Sequence, residues 1–304
     1  MGRLFKAFIF KIRKDLTFRI TLFIGVGMAV LMTLIYLGLD SALGTDSGDG
    51  ARMLSGPNML LNSFSPVQNY GIAIPVNLIS FTCLEFSQGT IRNKIIAGSS
   101  KFKIYASLCI SGLIFAFALL IVYVGLCTLL GTIIGGFDLS KPVMVGTMQV
   151  VVNKSYLPLT LLFAALIYVS VVMFTIFIAT LFRSIGPSIP VVMVTLMLLY
   201  FSAYIISAMA LFFDENNPLI LIMKIINPLY SISGGVDYHT YQVPLLDDYG
   251  LPLLDENGAP IVTNVADYAY YATDTIVCTI VNNLVYAGIF FAGGSLLFMK
   301  RDVK

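Results

Sequence analysis

The chain has 304 residues, 58% of them hydrophobic and 11% charged, with a net charge of +2 and a mean hydropathy of +0.90. A soluble domain carries roughly a quarter charged residues, so this composition excludes an ordinary soluble enzyme. There is length for one membrane domain, 1–304, with little left for a separate soluble one. The cysteines Cys83, Cys109, Cys127 and Cys278 all fall in apolar segments, which excludes a disulfide framework and a CxxC metal site and makes them small buried hydrophobes.

In chain order, residues 3–16 pattern as a helix lying in the headgroup layer. Leu4, Phe5, Phe8, Ile9, Ile12 and Leu16 share one face and Arg3, Lys6, Lys11, Arg13 and Lys14 the other, with Phe10 the misfit. Such an element either anchors the chain and sets its topology or acts as a lever on a moving partner. The basic start runs into a full-length span, with no small-residue cleavage site of a signal peptide. Six segments are long and apolar enough to cross a bilayer, which takes roughly 20 residues of helix: 20–39, 70–86, 104–134, 157–182, 185–213 and 275–299. The second is the shortest and holds Pro75, Asn77 and Glu85, whereas the third exceeds what a bilayer requires. Pro187 and Pro190 sit in the first turns of the fifth, where a missing N–H costs least.

Between the first two spans, the glycines Gly44, Gly48, Gly50 and Gly56 predict an irregular polar loop over 40–69. Between the second and third, a run from Glu85 to Tyr105 carries Arg92, Lys94, Lys101 and Lys103. The connection between the fifth and sixth, 214–274, is long and acidic. Its first part, 219–232, is apolar and interrupted at Asn227-Pro228, which predicts a short helix and a break lying against protein. Then Asp247-Asp-Tyr-Gly-Leu-Pro-Leu253 is echoed by Asp255-Glu-Asn-Gly-Ala-Pro-Ile261, the chemistry of consecutive tight turns and a small β-structure rather than a calcium loop.

Basic residues fix the expected orientation. With the N-terminus inside, the inner segments hold 14 of the 18 Lys and Arg, and the outside keeps only Arg52, Lys141, Lys154 and Lys224. Acids distribute oppositely, with only Asp15, Glu85 and Asp302 inside. The fold class expected is therefore an all-α integral membrane protein of six transmembrane helices. Both termini are in the cytoplasm, an interfacial helix stands at the start, and a small β/turn insert (236–267) lies in the extracellular connection.

Catalytic chemistry is missing. His239 is the sole histidine and has no companion ligand. There is no GxxxxGK[ST] phosphate loop, GxSxG or HExxH, so the chain is expected not to be an enzyme, to bind no metal and to carry no cofactor. Intramembrane charge is almost confined to Glu85. A proton-coupled carrier needs such groups near the midplane, on broken helices in an internal repeat, and no such repeat is evident. Energy for transport therefore comes from a partner.

The order of basic helix, six spans, Glu85 closing the second, then Gly89-Thr-Ile-Arg-Asn-Lys94 and the exit Gly294-Ser-Leu-Leu-Phe-Met-Lys-Arg-Asp302 resembles the permease subunits of type-2 ATP-binding-cassette (ABC) exporters of bacteria. The topology covers nearly the whole chain and the specific motifs about 30 residues. The acidic insert 236–267 departs from the compact outer helices of that family. The resemblance implies that 88–103 is a coupling loop seated on a separate ATPase, with Glu85, Gln88, Gly89, Thr90, Arg92, Lys94, Lys101 and Lys103 at the contact. It implies two ATPase copies, which hold the ATP and Mg, and a second permease copy forming a homodimer or paralogous heterodimer. The setting would be the bacterial cytoplasmic membrane. The lipid bilayer is a partner, and nucleic acid is not. Glu85 either ties the loop to its span or is a boundary carboxylate snorkelled to water beside Arg92 or Lys94. Asn77, Thr82, Thr175, Asn282 and Asn283 are the polar groups that a substrate path would use, though such residues also bridge helices. Aromatic, weakly polar spans suit an amphipathic or lipophilic cargo such as a peptide, drug or lipid. The alternatives are an ion-gradient-driven secondary transporter and a non-transporting membrane sensor or immunity component.

Overall fold

A computed structural model describes residues 10, 14, 16–43, 54–63, 73–138, 143–145, 148–152, 157–210, 226–229, 237–244, 262–270 and 273–301. Most of the expected interfacial helix (3–16), the tandem turns at 247–261 and the last three residues lie outside these.

Among the described residues, eight helices and four strands follow in order: α1 Leu16–Leu43, α2 Gly56–Ser63, α3 Ala73–Ser87, α4 Thr90–Ile96, α5 Lys101–Gly135, β1 Val143–Val145, β2 Met148–Val152, α6 Leu157–Phe182, α7 Ile185–Ala210, β3 Asp237–Pro244, β4 Val262–Tyr270 and α8 Thr273–Lys300. Among the described residues, five stretches are long and apolar enough to cross a membrane: Phe18–Ser41, Lys101–Gly135, Leu161–Phe182, Ile185–Ser202 and Ile276–Lys300. They coincide with the first, third, fourth, fifth and sixth of the expected spans. The second does not reach that length. α3 has 15 residues, a rod of about 22 Å against roughly 30 Å of hydrocarbon.

The irregular loop expected over 40–69 contains a helix instead. α2 lies against the far end of α5, where the Gly56 amide donates to the Gly136 carbonyl at 2.9 Å. Met59 covers Gly131, and Leu78 of α3 covers Gly112 lower on the same helix. α2 and α3 thus line α5 one after the other. The buried Asp40, at the end of α1, accepts the Leu54 amide at 2.8 Å and fixes the entry to α2.

α6 is the centre of the bundle. Of its apolar window 61% is buried, against 11% for α7 and for α8, so its neighbours pack around it. The core runs through Phe81 of α3, Phe115, Leu119 and Tyr123 of α5, and Tyr168, Val172 and Ile176 of α6. α1, α5, α7 and α8 turn large apolar side chains outward, including Phe23, Ile121, Leu198 and Ile289, as segments bathed in hydrocarbon do.

The strands form one sheet in the order β1-β2-β4-β3. The expected β-structure of the α7–α8 connection is present as β3 and β4, antiparallel, with Thr240 opposite Ala266. Its extension was not expected. β2, from the α5–α6 connection, runs parallel to β4 with Val150 opposite Ala266. The valine-rich Val143-Met-Val-Gly-Thr-Met-Gln-Val-Val-Val152 is the hairpin signal that marks it.

Candidate functional site

The site is the short connection between α3 and α5. In the last turn of α3, Glu85 is fully buried; the helix ends at Ser87 and a tight turn follows at Gln88 and Gly89. Gly89 has φ +67°, a left-handed conformation that glycine adopts without a Cβ penalty. α4 starts on the next residue. On a helix Ile91, Lys94 and Ile95 share a face. Ile91 is buried, Ile95 packs against the core, and Lys94 reaches back so that its Nζ lies 2.8 Å from Glu85 Oε2. Glu85 is therefore not a snorkelled boundary carboxylate, and its partner in this ion pair is Lys94.

The end of α4 is closed by backbone. Ser99 donates to the Lys94 carbonyl at 3.1 Å and Gly98 to the Ile95 carbonyl at 2.9 Å, with Gly98 at φ +83°. This paired pattern satisfies carbonyls that have no partner within the helix. Ser100 is extended, and α5 begins at Lys101. The opposite face of α4 points outward: Gln88, Arg92, Asn93 and Ala97 are exposed, Ile96 is 74% exposed, and Phe102 and Lys103 follow.

Of the contact residues expected from sequence, Glu85, Gly89, Thr90 and Lys94 build the element, whereas Gln88, Arg92 and Lys103 form its outer surface. Lys101 does neither. Its Nζ donates to the Met299 and Arg301 carbonyls, each at 3.1 Å, a cation on the negative end of α8. Arg301 makes the same kind of contact with α6, donating from Nη1 to the Leu181 carbonyl at 2.6 Å. Sequence reading missed both contacts, although Lys and Arg near helix ends are a usable signal for capping. Arg183, between α6 and α7, has φ +56° and sits 5.5 Å from the Phe86 ring. Burial, and then the neighbouring Arg301, lower its pKa, but a guanidinium still stays charged. Above this layer Phe298 meets Phe86 and Tyr105 at centroid distances of 6.1 and 5.9 Å.

The expected path residues do not converge. Asn77 accepts from Thr21 Oγ1 at 2.6 Å and donates to the Ala73 carbonyl, joining α3 to α1. Thr175 bonds back to the Val171 carbonyl of its own helix. Asn283 is tied to Ser170 and to the Thr279 carbonyl, and Asn282 is half-buried on α8. Thr82 is fully buried, and among the described residues its hydroxyl has no hydrogen-bond partner. None of the five lines the apolar hollow of about 680 Å³ along α5 or that of about 170 Å³ between α6, α7 and α8. Among the described residues no three His, Cys, Asp or Glu gather as a metal site would require. In comparisons with known proteins, no family model, curated protein or solved structure matches the chain.

Proposed function

We propose that this chain is the permease subunit of an ABC exporter in the bacterial cytoplasmic membrane, with α4 as the element through which a separate ATPase moves the spans. The observation that carries this reading is the way α4 is held. Its inner face is locked to α3 by a buried ion pair, its two ends are set by left-handed glycines, and its outer face is left exposed with Arg92, Asn93 and Ile96. A helix held so firmly on one side transmits a push delivered to the other. Lys101, two residues beyond the turn, grips the end of α8, so displacement of the loop reaches α3, α5 and α8 together.

In this reading α2 and α3 together make the second crossing, in two pieces, which brings the spans to six. The basic end faces the cytoplasm, and the sheet lies outside. ATP and Mg belong to the ATPase, two copies of which act on a pair of permeases, and this chain performs no chemistry. The outward apolar faces of α1, α7 and α8 meet lipid or the second permease. A carrier driven by an ion gradient would hold titratable groups near the midplane; among the described residues the buried carboxylates, Asp40 and Glu85, instead lie at opposite ends of the bundle. The cargo expected is an amphipathic or lipophilic molecule.

The test is purification of the tagged full chain from its native membrane with its bound partners. A soluble ATPase containing a phosphate loop should accompany the wild type and be lost with Arg92→Glu or Ile96→Asp, which alter only the exposed face. Absence of any such ATPase, or its undiminished binding to both variants, would overturn the proposal.

A further inference from the structure

The turn at 227–229 is fastened from two helices, one of them braced by a third. Asn227 Nδ2 donates to the Leu199 carbonyl at 2.6 Å and to Ser202 Oγ at 2.9 Å, both on α7. Its Oδ1 accepts the Leu229 amide at 2.9 Å, closing a side-chain turn. From α8, Asn283 Nδ2 reaches the Pro228 carbonyl at 3.4 Å, and the Tyr286 hydroxyl donates to the Ile226 carbonyl at 2.6 Å. Ser170 of α6 holds Asn283 in turn, donating to its Oδ1 at 2.8 Å.

Under this latch lies the cavity of about 170 Å³. Val171 and Phe174 of α6 form its floor, Leu196 of α7 and Phe290 of α8 its walls, and Pro228 and Leu229 its end. Three hydroxyls line it, and each is engaged elsewhere: Ser170 with Asn283, Thr195 with the Val191 carbonyl and Tyr286 with the Ile226 carbonyl. A guest therefore meets carbon. A hollow of roughly 150 Å³ with Leu, Ile and Phe walls stays dry and takes up benzene or xenon. Here the walls are aromatic as well: Phe290 lies 5.1 Å from Phe174, tilted by 57°, and 6.0 Å from Tyr286. A further ring would extend that run in the tilted or offset geometry aromatic pairs prefer.

We propose that this cavity is a binding site for one aromatic ring of a lipophile dissolved in the bilayer. The latched turn closes the far end, so entry is lateral, between α7 and α8, whose wall residues Leu196 and Phe290 are half-buried rather than sealed. The inference rests on the cavity and not on any ATPase, so loss of either proposal leaves the other standing.

The experiment uses the purified full chain in lipid nanodiscs, photolabelled with trifluoromethyl phenyl diazirine, a single-ring apolar probe. Labelling of peptides containing Val171, Leu196 and Phe290 should saturate with probe and be displaced by trifluoromethylbenzene. It should fall to background in Leu196→Trp, which fills the hollow, and persist in Leu198→Trp, where the same bulk is added to an outward residue. If Leu196→Trp does not purify folded, Leu196→Phe is the smaller filling variant, read in the same way. Labelling that never saturates, is not displaced, or is unchanged in the filled variant would overturn the site.

Discussion

Glu85 has its charge balanced inside the protein by the ammonium of Lys94, which is itself only 15% exposed. Removing one partner of such a pair leaves an uncompensated charge in a dry place, whereas replacing both with apolar groups is often close to neutral. Glu85→Gln should therefore lower the stability of the purified chain by about 3–5 kcal/mol, read as thermal unfolding in detergent. The double variant Glu85→Leu with Lys94→Met should recover most of that loss. Had the pair been ornamental, the single variant would unfold at the wild-type temperature. Sequence marked Glu85 as the odd charge at the foot of a span but left Arg92 and Lys94 as equal partners. The helix start at Thr90 separates them, because it turns Lys94 inward with Ile91 and Arg92 outward. Gly294 was illegible in any such reading. The Tyr105 hydroxyl occupies the space its Cβ would fill, a property of two helices and not of one. Gly294→Ala should cost about 1–3 kcal/mol, partly restored by adding Tyr105→Phe, in the same unfolding measurement.

Among the elements, α4 owes its boundaries to backbone geometry. At neither Gly89 nor Gly98 does any neighbour lie within 4 Å of the place a Cβ would take, so an alanine there meets no clash and only the cost of a positive φ. Gly98→Ala should destabilise the end of α4 by about 1–2 kcal/mol, seen as faster exchange of the amides at positions 98 and 99, and Gly98→Asn should do so less. α2 shows the opposite dependence. Gly56-Pro-Asn58 reads as loop in isolation, although proline is well tolerated in a first helical turn. Its helix is fixed instead by burial against α5, where the Leu54 carbonyl occupies the Cβ position of Gly135. Gly135→Ala, meeting rigid backbone, should cost about 1–3 kcal/mol; Gly125→Ala, facing open space, should be neutral or mildly stabilising. The long apolar runs were readable to within a few residues because length and composition alone decide them. The pairing of β2 with β4 was not, since it joins connections more than a hundred residues apart.

At the scale of the whole molecule, the two ends of α5 are chemically unlike, with the basic loop at one and the sheet-bearing connection at the other. If the helix crosses the membrane with the basic end inside, a cysteine at exposed Asn93 should react with an impermeant maleimide only in inverted vesicles. One at exposed Phe137 should react only in right-side-out vesicles. The native Cys83, Cys109 and Cys127 are buried and Cys278 is half-buried, which gives a quiet background; equal labelling of both positions from one side would refute the topology. The 35 residues of α5 also have a purely geometric consequence. They make a rigid rod of about 52 Å, well beyond the roughly 30 Å of hydrocarbon it passes through. A rod pivoted near one end turns small angles into large excursions: a tilt of about 5° at the Lys101 end carries Gly135 sideways by about 4–5 Å. A motion too slight to break the Glu85–Lys94 bond at the pivot would thus be ample to shear the α2 contact at the tip.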